Sequence, residues 1–201
     1  MVTGIRHTTI LALGSGLITL NEVIFWGYSL ILKTDRLIVR HWHQKDWTLL
    51  HAIMADPCVM QYIGGSWDYQ PATKEQVRDF VDKCVQEAKD RVWATWPLIL
   101  RENTSLIGYC GFSVRDYGEY KGETEIGWLL AREHWGKGLA TEAARAILEF
   151  GLSKWRFKRV IASARPENSQ SLRVMEKIGL QRVADSQNPK GRFVPHTAIE
   201  N

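Results

Sequence analysis

Cysteine is scarce in this chain. The 201 residues include three cysteines, Cys58, Cys84 and Cys110, which lie far apart in the sequence. An odd number cannot all pair within one chain, and no two of them have the close spacing of zinc ligands. The sequence therefore argues against a disulfide framework and against a structural zinc site. We interpret the three side chains as reduced interior thiols of a cytoplasmic protein.

The sequence also lacks an apolar run that could cross a membrane as a helix. An apolar stretch near the N-terminus, residues 8–20, contains Gly14 and Gly16 and is too short for that purpose. Because Arg6 precedes it, the stretch weakly resembles a signal peptide, but the domain that follows has the character of a cytosolic protein. We therefore expect residues 1–29 to be an N-terminal extension, disordered or outside the core, and residues 30–201 to form one domain.

Histidines with metal-ligand spacing are missing as well. His41, His43, His51 and His134 are scattered along the chain, so we expect no metal. The net charge of +4 suits an anionic partner, which includes a phosphate-rich cofactor as well as a nucleic acid. The chain has no array of basic and aromatic residues of the kind that binds nucleic acids, and we expect no nucleic-acid partner.

The spacing of apolar residues predicts an order of strands and helices. Thr73 and Gln76 form a capping box at the start of one helix, and Gly179 is placed to end another. Short turns at Asn103 and between Gly118 and Gly122 predict antiparallel pairing of three strands. The predicted strands cover residues 30–41, 92–100, 106–114, 124–130, 159–164, 180–184 and 195–200, and the predicted helices follow Asp46 and Thr73 and cover residues 139–153 and 169–177. This order indicates an α/β (α+β) fold with a mixed, mostly antiparallel central sheet flanked by helices.

The segment with the most specific chemistry joins the strand at residues 124–130 to the helix that follows. Gly136, Lys137 and Gly138 stand directly before that helix. The first N–H groups of a helix have no partners within it, and the helix dipole is positive there, so a phosphate binds well at such an end. The glycines let the main chain approach phosphate oxygens, and Lys137 adds a positive charge. The pattern predicts a turn that binds a pyrophosphate.

Two other phosphate-binding loops do not fit this segment. A P-loop requires Ser or Thr after Gly-Lys, but here Gly138 follows Lys137. A dinucleotide-binding fingerprint requires a third glycine at the position of Thr141. Taken alone, the Gly-Lys-Gly turn would be equally compatible with an ordinary helix start.

The wider sequence resembles a known family. The run Trp135–Ala140 resembles the coenzyme motif of the Gcn5-related N-acetyltransferase (GNAT) superfamily, which reads Gln or Arg, two residues, Gly, one residue, then Gly or Ala. Its aromatic first position is usual in the branch of ribosomal-protein N-terminal (Rim-type) acetyltransferases. Thr34–Arg40 and Ile107–Phe112 are similar to two strands of that branch, and Asn168–Ser171, followed by Glu176–Leu180, is similar to its coenzyme-contacting helix. The resemblance covers residues 30–185 in the right order. Residues 1–29 have no counterpart.

The resemblance implies a GNAT-like fold and acetyl-CoA as co-substrate, with no metal. In this family the coenzyme lies beside a strand that splays from its neighbour, and its pyrophosphate lies on the next helix. The positions that match the family's coenzyme-binding residues are Leu129, Leu130, Ala131, Trp135, Gly136, Lys137, Gly138, Leu139, Ala140, Thr141 and Asn168. Glu125 is our candidate base, although a strand salt bridge is equally compatible with it. Ser171 is our candidate proton donor to the thiolate, and capping of its helix or a bond to the coenzyme is the alternative.

The acceptor is less closely specified than the donor. We favour a protein N-terminal α-amine, because its deprotonation at pH 7 costs roughly 1 kcal/mol against roughly 4–5 kcal/mol for a lysine. The alternatives are a small-molecule amine, or an acyl-CoA-binding sensor domain without turnover, in a monomer or a homodimer. The loop at residues 64–71, which contains Trp67, is the expected acceptor side. Four tryptophans could line the acceptor pocket, with core packing as the alternative for each, namely Trp42, Trp67, Trp93 and Trp96.

Overall fold

The computed structural model describes residues 10–13, 16–19, 30–64, 68–90, 93–183, 185–187, 193–194 and 196–200. These residues form twelve strands and five α-helices. In chain order they are β1 Ile10–Leu13, β2 Gly16–Thr19, β3 Leu30–Lys33, β4 Leu37–Arg40, α1 Trp47–Met54, α2 Pro57–Met60, α3 Lys74–Asp90, β5 Thr95–Leu100, β6 Leu106–Val114, β7 Thr124–Leu130, α4 Leu139–Lys154, β8 Arg159–Ser163, α5 Ser169–Lys177, β9 Gln181–Arg182, β10 Ser186–Gln187, β11 Phe193–Val194 and β12 His196–Glu200.

Eight of the strands form one mixed sheet in the order β3-β4-β5-β6-β7-β8-β12-β9. Every neighbouring pair in it is antiparallel except β7 and β8, which are parallel. The predicted fold class, a mostly antiparallel sheet flanked by helices, is thereby confirmed. Two separate two-stranded sheets accompany it, β1 with β2 and β10 with β11. β1 and β2 belong to the predicted N-terminal extension, and the rest of residues 1–29 lies outside the described residues.

Apolar side chains bury both faces of the sheet. On one face, α4 contributes Ile147 to a core that includes Trp96 and Phe112 from β5 and β6. On the other face, α1 and α3 contribute side chains such as Leu50 and Val77, which share a second core with residues of the sheet. Since helices cover both faces, the strands show long buried runs instead of strict alternation, as in β5, where four consecutive residues, 96–99, are all buried.

Local signals set most helix ends where the sequence predicted them. Thr73 and Gln76 exchange hydrogen bonds across the start of α3, with Gln76 Oε1 accepting from Thr73 N at 2.8 Å and Thr73 Oγ1 accepting from Gln76 N at 3.2 Å. The capping box is therefore confirmed. At the end of α5, Gly179 adopts φ +91°, the left-handed conformation that closes a helix with little strain in glycine.

Two local predictions were wrong. Residues 30–41 form two antiparallel strands, β3 and β4, instead of one, and Thr34 N–H donates to Leu37 O at the turn between them. Asp46 precedes the predicted helix and is of a residue type that commonly caps one, but its side chain makes no capping hydrogen bond to α1. Its carboxylate instead accepts two hydrogen bonds from the Arg40 guanidinium, at 2.7 and 2.9 Å, in a buried bidentate pair. A bidentate pair with a guanidinium is stronger than a single bond to a backbone N–H, so it decides where the side chain points.

Gly108 provides a test of how closely β6 and β7 approach. It has φ +146°, and a Cβ built at this position would lie 2.0 Å from Leu129 O. We predict that Gly108→Ala lowers the free energy of unfolding by about 2–4 kcal/mol, because the backbone of β7 must move away. Urea unfolding followed by circular dichroism measures the change.

The matched control is Gly127→Ala in the neighbouring strand. A Cβ at Gly127 would meet no atom within 4 Å, so this variant should stay within about 0.5 kcal/mol of the wild type. Equal stability of the two variants would contradict the close approach.

Candidate functional site

A groove opens between β7 and β8 because these strands meet at a single position. Their register pairs Glu125 with Ile161 and continues no further, although β7 runs on to Leu130. The groove has a volume of about 520 Å³. Its walls come from the end of β7, the turn before α4, the start of α5 and the segment after α2.

The edge of β7 that faces the groove carries backbone groups free to bind a ligand. Ala131 N–H donates to Ile107 O of β6 at 2.8 Å. Because backbone groups alternate sides along a strand, those of Leu130 and Trp128 point to the opposite edge, toward β8. The Leu130 carbonyl accepts from Trp135 Nε1 at 2.8 Å. The N–H groups of Trp128 and Leu130 and the carbonyl of Trp128 are then the polar groups along this edge.

The turn before α4 presents an uncapped helix end to the groove. Gly136 and Gly138 adopt φ +72° and +76°, a conformation that favours glycine. Gly138 is the N-cap of α4 and has no side chain that could bond the first turn. The N–H groups of Leu139 to Thr141 therefore lack intrahelical partners, and the helix dipole adds positive charge beside them. This arrangement fits a phosphate group.

Most of the residues predicted to bind the coenzyme meet in this groove. Of the thirteen predicted site residues, those that line it are Leu129, Leu130, Trp135, Gly136, Gly138, Leu139, Ala140, Thr141, Asn168 and Ser171. Ala131 is instead buried against β6, and the Lys137 side chain is exposed beside the groove. Glu125 is not among the residues that line the groove and lies beyond its closed end, where β7 and β8 meet.

The start of α5 forms the wall opposite the glycine turn. Asn168 is the N-cap of α5, and its Oδ1 accepts from Ser171 N–H at 3.1 Å. The cap is thus supplied by Asn168 and not by Ser171, whose hydroxyl group stays at the groove wall. The amide nitrogen of Asn168 is not used in the cap and is placed for a ligand carbonyl.

Part of the lining was missed from the sequence. After α2, the segment Gln61–Ile63 and the preceding Val59 close one side of the groove. Asp56 caps the short α2 through a hydrogen bond to Cys58 N–H, and Pro57 occupies its first turn. From the sequence, the Asp56-Pro57 pair predicts the end of α1. The same pair also indicates the start of a new helix, because Asp is a common cap and Pro favours the first helical turn. That interpretation would have added these residues to the predicted site.

Glu125 is held at the closed end by two neighbours. Its Oε1 accepts from Arg115 Nη1 at 2.7 Å and from Ser163 Oγ at 2.5 Å. No described residue donates to Oε2, and the side chain is 20% exposed, whereas that of Arg115 is 1% exposed. One carboxylate oxygen is therefore fixed, and the other stays open to solvent or to a ligand.

Within the described part of the chain, Arg115 is surrounded by groups that carry no positive charge of their own. The guanidinium lies 4.2 Å from the centroid of the Tyr117 ring, a cation–π contact. Burial lowers the pKa of His196 to about 4, and the Arg115 charge lowers it in the same direction. His196 is then neutral at pH 7 and leaves Arg115 as the cation beside Glu125.

Three of the four tryptophans that could line an acceptor pocket instead pack in or against the core. Trp42 and Trp96 are buried, and Trp93 packs edge-on against Phe157. Trp67 lies outside the described residues. At the expected acceptor side the structure instead places Tyr62 and Tyr69, whose ring centroids lie 6.0 and 5.3 Å from the Arg165 guanidinium.

Other classes of site find little support in the described part of the chain. Among the described residues, no group of three or more His, Cys, Asp or Glu side chains is arranged to hold a metal ion. None of the helices described is both long and apolar enough to cross a membrane. All three cysteines are free. Cys84 and Cys110 are buried, as predicted for interior thiols, whereas Cys58 is half-buried.

Comparison with protein families decides the affiliation. Residues 36–181, more than half of the chain, match the family model of the acetyltransferase (GNAT) domain. The chain belongs to the GNAT acetyltransferase family. The protein is therefore an N-acetyltransferase of the GNAT type, and the family's co-substrate is acetyl-CoA. The resemblance to the GNAT superfamily drawn from the sequence is confirmed.

Individual GNAT proteins support this assignment. The chain is 37% identical over 151 residues to the uncharacterized N-acetyltransferase YnaD of Bacillus subtilis, covering 75% of this chain and 82% of that protein. A GNAT acetyltransferase structure from Bacillus anthracis is 33% identical, covers 85% of this chain and 98% of its own, and superposes with a TM-score of 0.70. The fold also matches the complex of RimL, a ribosomal L7/L12 α-N-protein acetyltransferase, with coenzyme A, at 14% identity, TM-score 0.71 and coverage of 86% and 98%.

The uncapped start of α4 predicts that the affinity for coenzyme A depends on Gly138. We expect Gly138→Ala to weaken coenzyme A binding about tenfold, because a residue with a Cβ at φ +76° relaxes the turn and moves the N–H groups. Isothermal titration calorimetry with coenzyme A measures the affinity.

Gly122→Ala is the control for the conformational strain itself. Gly122 has φ +93° in the loop between β6 and β7, and a Cβ there would meet no atom within 4 Å. It should lose similar stability and keep its coenzyme affinity. An unchanged affinity in Gly138→Ala would contradict a pyrophosphate site at this turn.

Proposed function

We propose that the protein transfers the acetyl group of acetyl-CoA to a primary amine, and that the favoured acceptor is a protein N-terminal α-amine. The observation that carries the choice of acceptor is Glu125, a single carboxylate with one oxygen fixed and the other open. The fold similarity to RimL supports the same choice.

Acetyl-CoA would lie along the groove with its pyrophosphate at the start of α4 and its thioester toward Glu125. The N–H groups of Lys137 to Thr141 would bind the pyrophosphate, and the backbone of Trp128 and Leu130 would pair with the pantetheine arm. Asn168 would bond the same arm from α5. The thioester would then lie toward the closed end, where Glu125 stands. Trp128 and Glu125 are three residues apart on the strand, roughly 10 Å.

The chemistry requires a neutral amine, and the site offers modest help in producing one. At pH 7 a protein α-amine loses its proton at a cost of roughly 1 kcal/mol, whereas a lysine costs roughly 4–5 kcal/mol. A single carboxylate acting through Oε2, directly or through one water, suffices for the first case. Arg115 and Ser163 would fix the orientation of this carboxylate, because both bond Oε1.

Each step of the transfer has a group that can serve it. The amine nitrogen attacks the thioester carbon, and Glu125 accepts the proton that the amine loses. The N–H of Trp128, the open N–H nearer to Glu125 along β7, donates to the carbonyl oxygen as it gains negative charge, which leaves the Leu130 N–H and the Trp128 carbonyl for the pantetheine arm. The C–S bond then breaks. Ser171 relays a proton from solvent to the leaving thiolate and regains its own proton from water, so the serine ends the step unchanged.

A panel of acceptors tests the proposal. Thiol release from acetyl-CoA should be fast with peptides that have a free N-terminus and slow with the same peptides blocked at the N-terminus but carrying an internal lysine. Mass spectrometry should locate the acetyl group on the α-nitrogen. Turnover with polyamines, amino acids or aminoglycosides alone would replace the protein acceptor by a small amine. Tight coenzyme binding with no turnover across the panel would indicate a sensor.

Glu125→Gln tests the proposed base. We expect kcat to fall by about 10²-fold or more, while KM for acetyl-CoA stays within about twofold. The amide can still accept hydrogen bonds from Arg115 and Ser163, so the fold should be kept. The deficit should shrink above about pH 8, where the amine is neutral without assistance. Rate profiles from pH 6 to 9 measure both effects.

Glu123→Gln is the matched control on the same hairpin. Glu123 is held by Arg159, whose Nη1 donates to Oε1 at 2.7 Å, and we assign it no role in the reaction. Its kcat should stay close to that of the wild type at every pH. If both variants behave alike, Glu125 is not the base.

A further inference from the structure

The turn between β3 and β4 is fastened to the start of α4 by a carboxylate. Glu142 Oε1 accepts from Thr34 Oγ1 at 2.5 Å and from Arg36 N–H at 2.9 Å. Its other oxygen, Oε2, accepts from Arg36 Nε at 2.6 Å. Glu142 therefore receives bonds from a turn that is 106 residues away in the chain.

Arg36 also reaches the glycine turn itself. Its Nη1 donates to the carbonyl oxygen of Lys137 at 2.9 Å. The Lys137 carbonyl and the Gly138 N–H belong to one peptide group, and the described peptide bonds are all trans. In a trans peptide these two groups point in opposite directions. Because Arg36 holds the Lys137 carbonyl toward itself, the Gly138 N–H points away from Arg36. Gly138 is one of the residues that line the groove.

We propose that Arg36 is a positioning residue for the donor: it fixes the peptide between Lys137 and Gly138 so that the Gly138 N–H faces the pyrophosphate, and Glu142 holds Arg36 in place. This inference rests on the GNAT reaction and on the proposed binding of acetyl-CoA in the groove. It adds a residue from a different part of the chain to the site.

The charges explain why the pair is needed. Glu142 lies in the first turn of α4, where a free carboxylate would repel a pyrophosphate. Burial raises the pKa of Glu142, but hydrogen bonds from Thr34 and Arg36 outweigh this effect and hold it below the usual value. The carboxylate is thus ionised at pH 7. The bonds turn it toward the β3–β4 turn, and the Arg36 charge neutralises it.

The geometry favours arginine over lysine at this position. All four nitrogens of Arg36 are engaged at once: N, Nε and Nη2 with Glu142, and Nη1 with Lys137 O. The guanidinium is planar and rigid, so one group can bond the carboxylate and the carbonyl together. A lysine would keep the charge, but its single nitrogen would not hold both partners in this geometry.

The test compares two acetyl donors. Acetyl-CoA carries the pyrophosphate, whereas S-acetylpantetheine lacks it and keeps the thioester and the pantetheine arm. We expect Arg36→Ala to raise KM for acetyl-CoA about tenfold with kcat nearly unchanged, and to leave kcat/KM for S-acetylpantetheine within about twofold. Arg36→Lys should lose most of the same affinity. Calorimetry with coenzyme A provides a second measure of the binding that does not depend on the acceptor.

Arg101→Ala is the matched control. Arg101 Nη1 donates to the carbonyl oxygens of Thr34 and Asp35, both at 2.9 Å, so it supports the same turn without bonding the glycine turn. We expect it to keep the wild-type KM for acetyl-CoA.

Three results would overturn the inference. Equal losses with the two donors would mean that Arg36 only stabilises the fold. Wild-type behaviour of Arg36→Lys would mean that its charge matters and its geometry does not. Unchanged coenzyme A affinity in Arg36→Ala would remove it from the site. A wild-type protein that binds coenzyme A but acetylates none of the amines tested would instead contradict the proposed function, and the affinities of the variants would still decide the role of Arg36.

Discussion

The pairing of β6 with β7 is the constraint on which the groove depends. Seven consecutive residue pairs join these strands, from Gly108–Leu130 to Val114–Thr124, with no break in register. β7 is thereby held firmly from one side, and its other edge can separate from β8 after the single pair at Glu125. An edge with open backbone groups is costly inside a protein unless a ligand or water satisfies it. The open edge, the uncapped α4 and the cap of α5 all face the same space, so one extended ligand can satisfy all three.

Local signals in the sequence were sufficient for much of the fold. The bounds of β6, β7 and α5 agree with prediction because glycines, Asn103 and a capping asparagine mark their ends. The first turn of the domain, residues 34–36, was missed because it contains neither glycine nor proline. Asp46 does not cap α1 for a different reason. Its side chain binds Arg40, which lies on the preceding strand, and rules for helix ends consider only residues at the helix end itself.

The site was predictable where it is continuous in sequence. The β7–turn–α4 segment carries its own signals, and its glycines and first helical turn line the groove as expected. Contacts across the chain were not predictable. The hydrogen bonds of Glu125 to Arg115 and Ser163 depend on which strands become neighbours, and the residues after α2 reach the groove only through the packing of helices on the sheet. A pattern of residue types contains no information about such distances.

The contact between Arg36 and Glu142 also has a consequence for folding. A pair separated by 106 residues closes a long loop of chain, and its entropic cost is met only when the intervening structure has formed. The glycine turn is contiguous with α4, yet its final shape depends on the first hairpin of the domain. Nascent or truncated chains that lack that hairpin would contain the whole coenzyme motif and still bind the donor poorly. Donor affinity thus reports that the domain has been assembled from end to end.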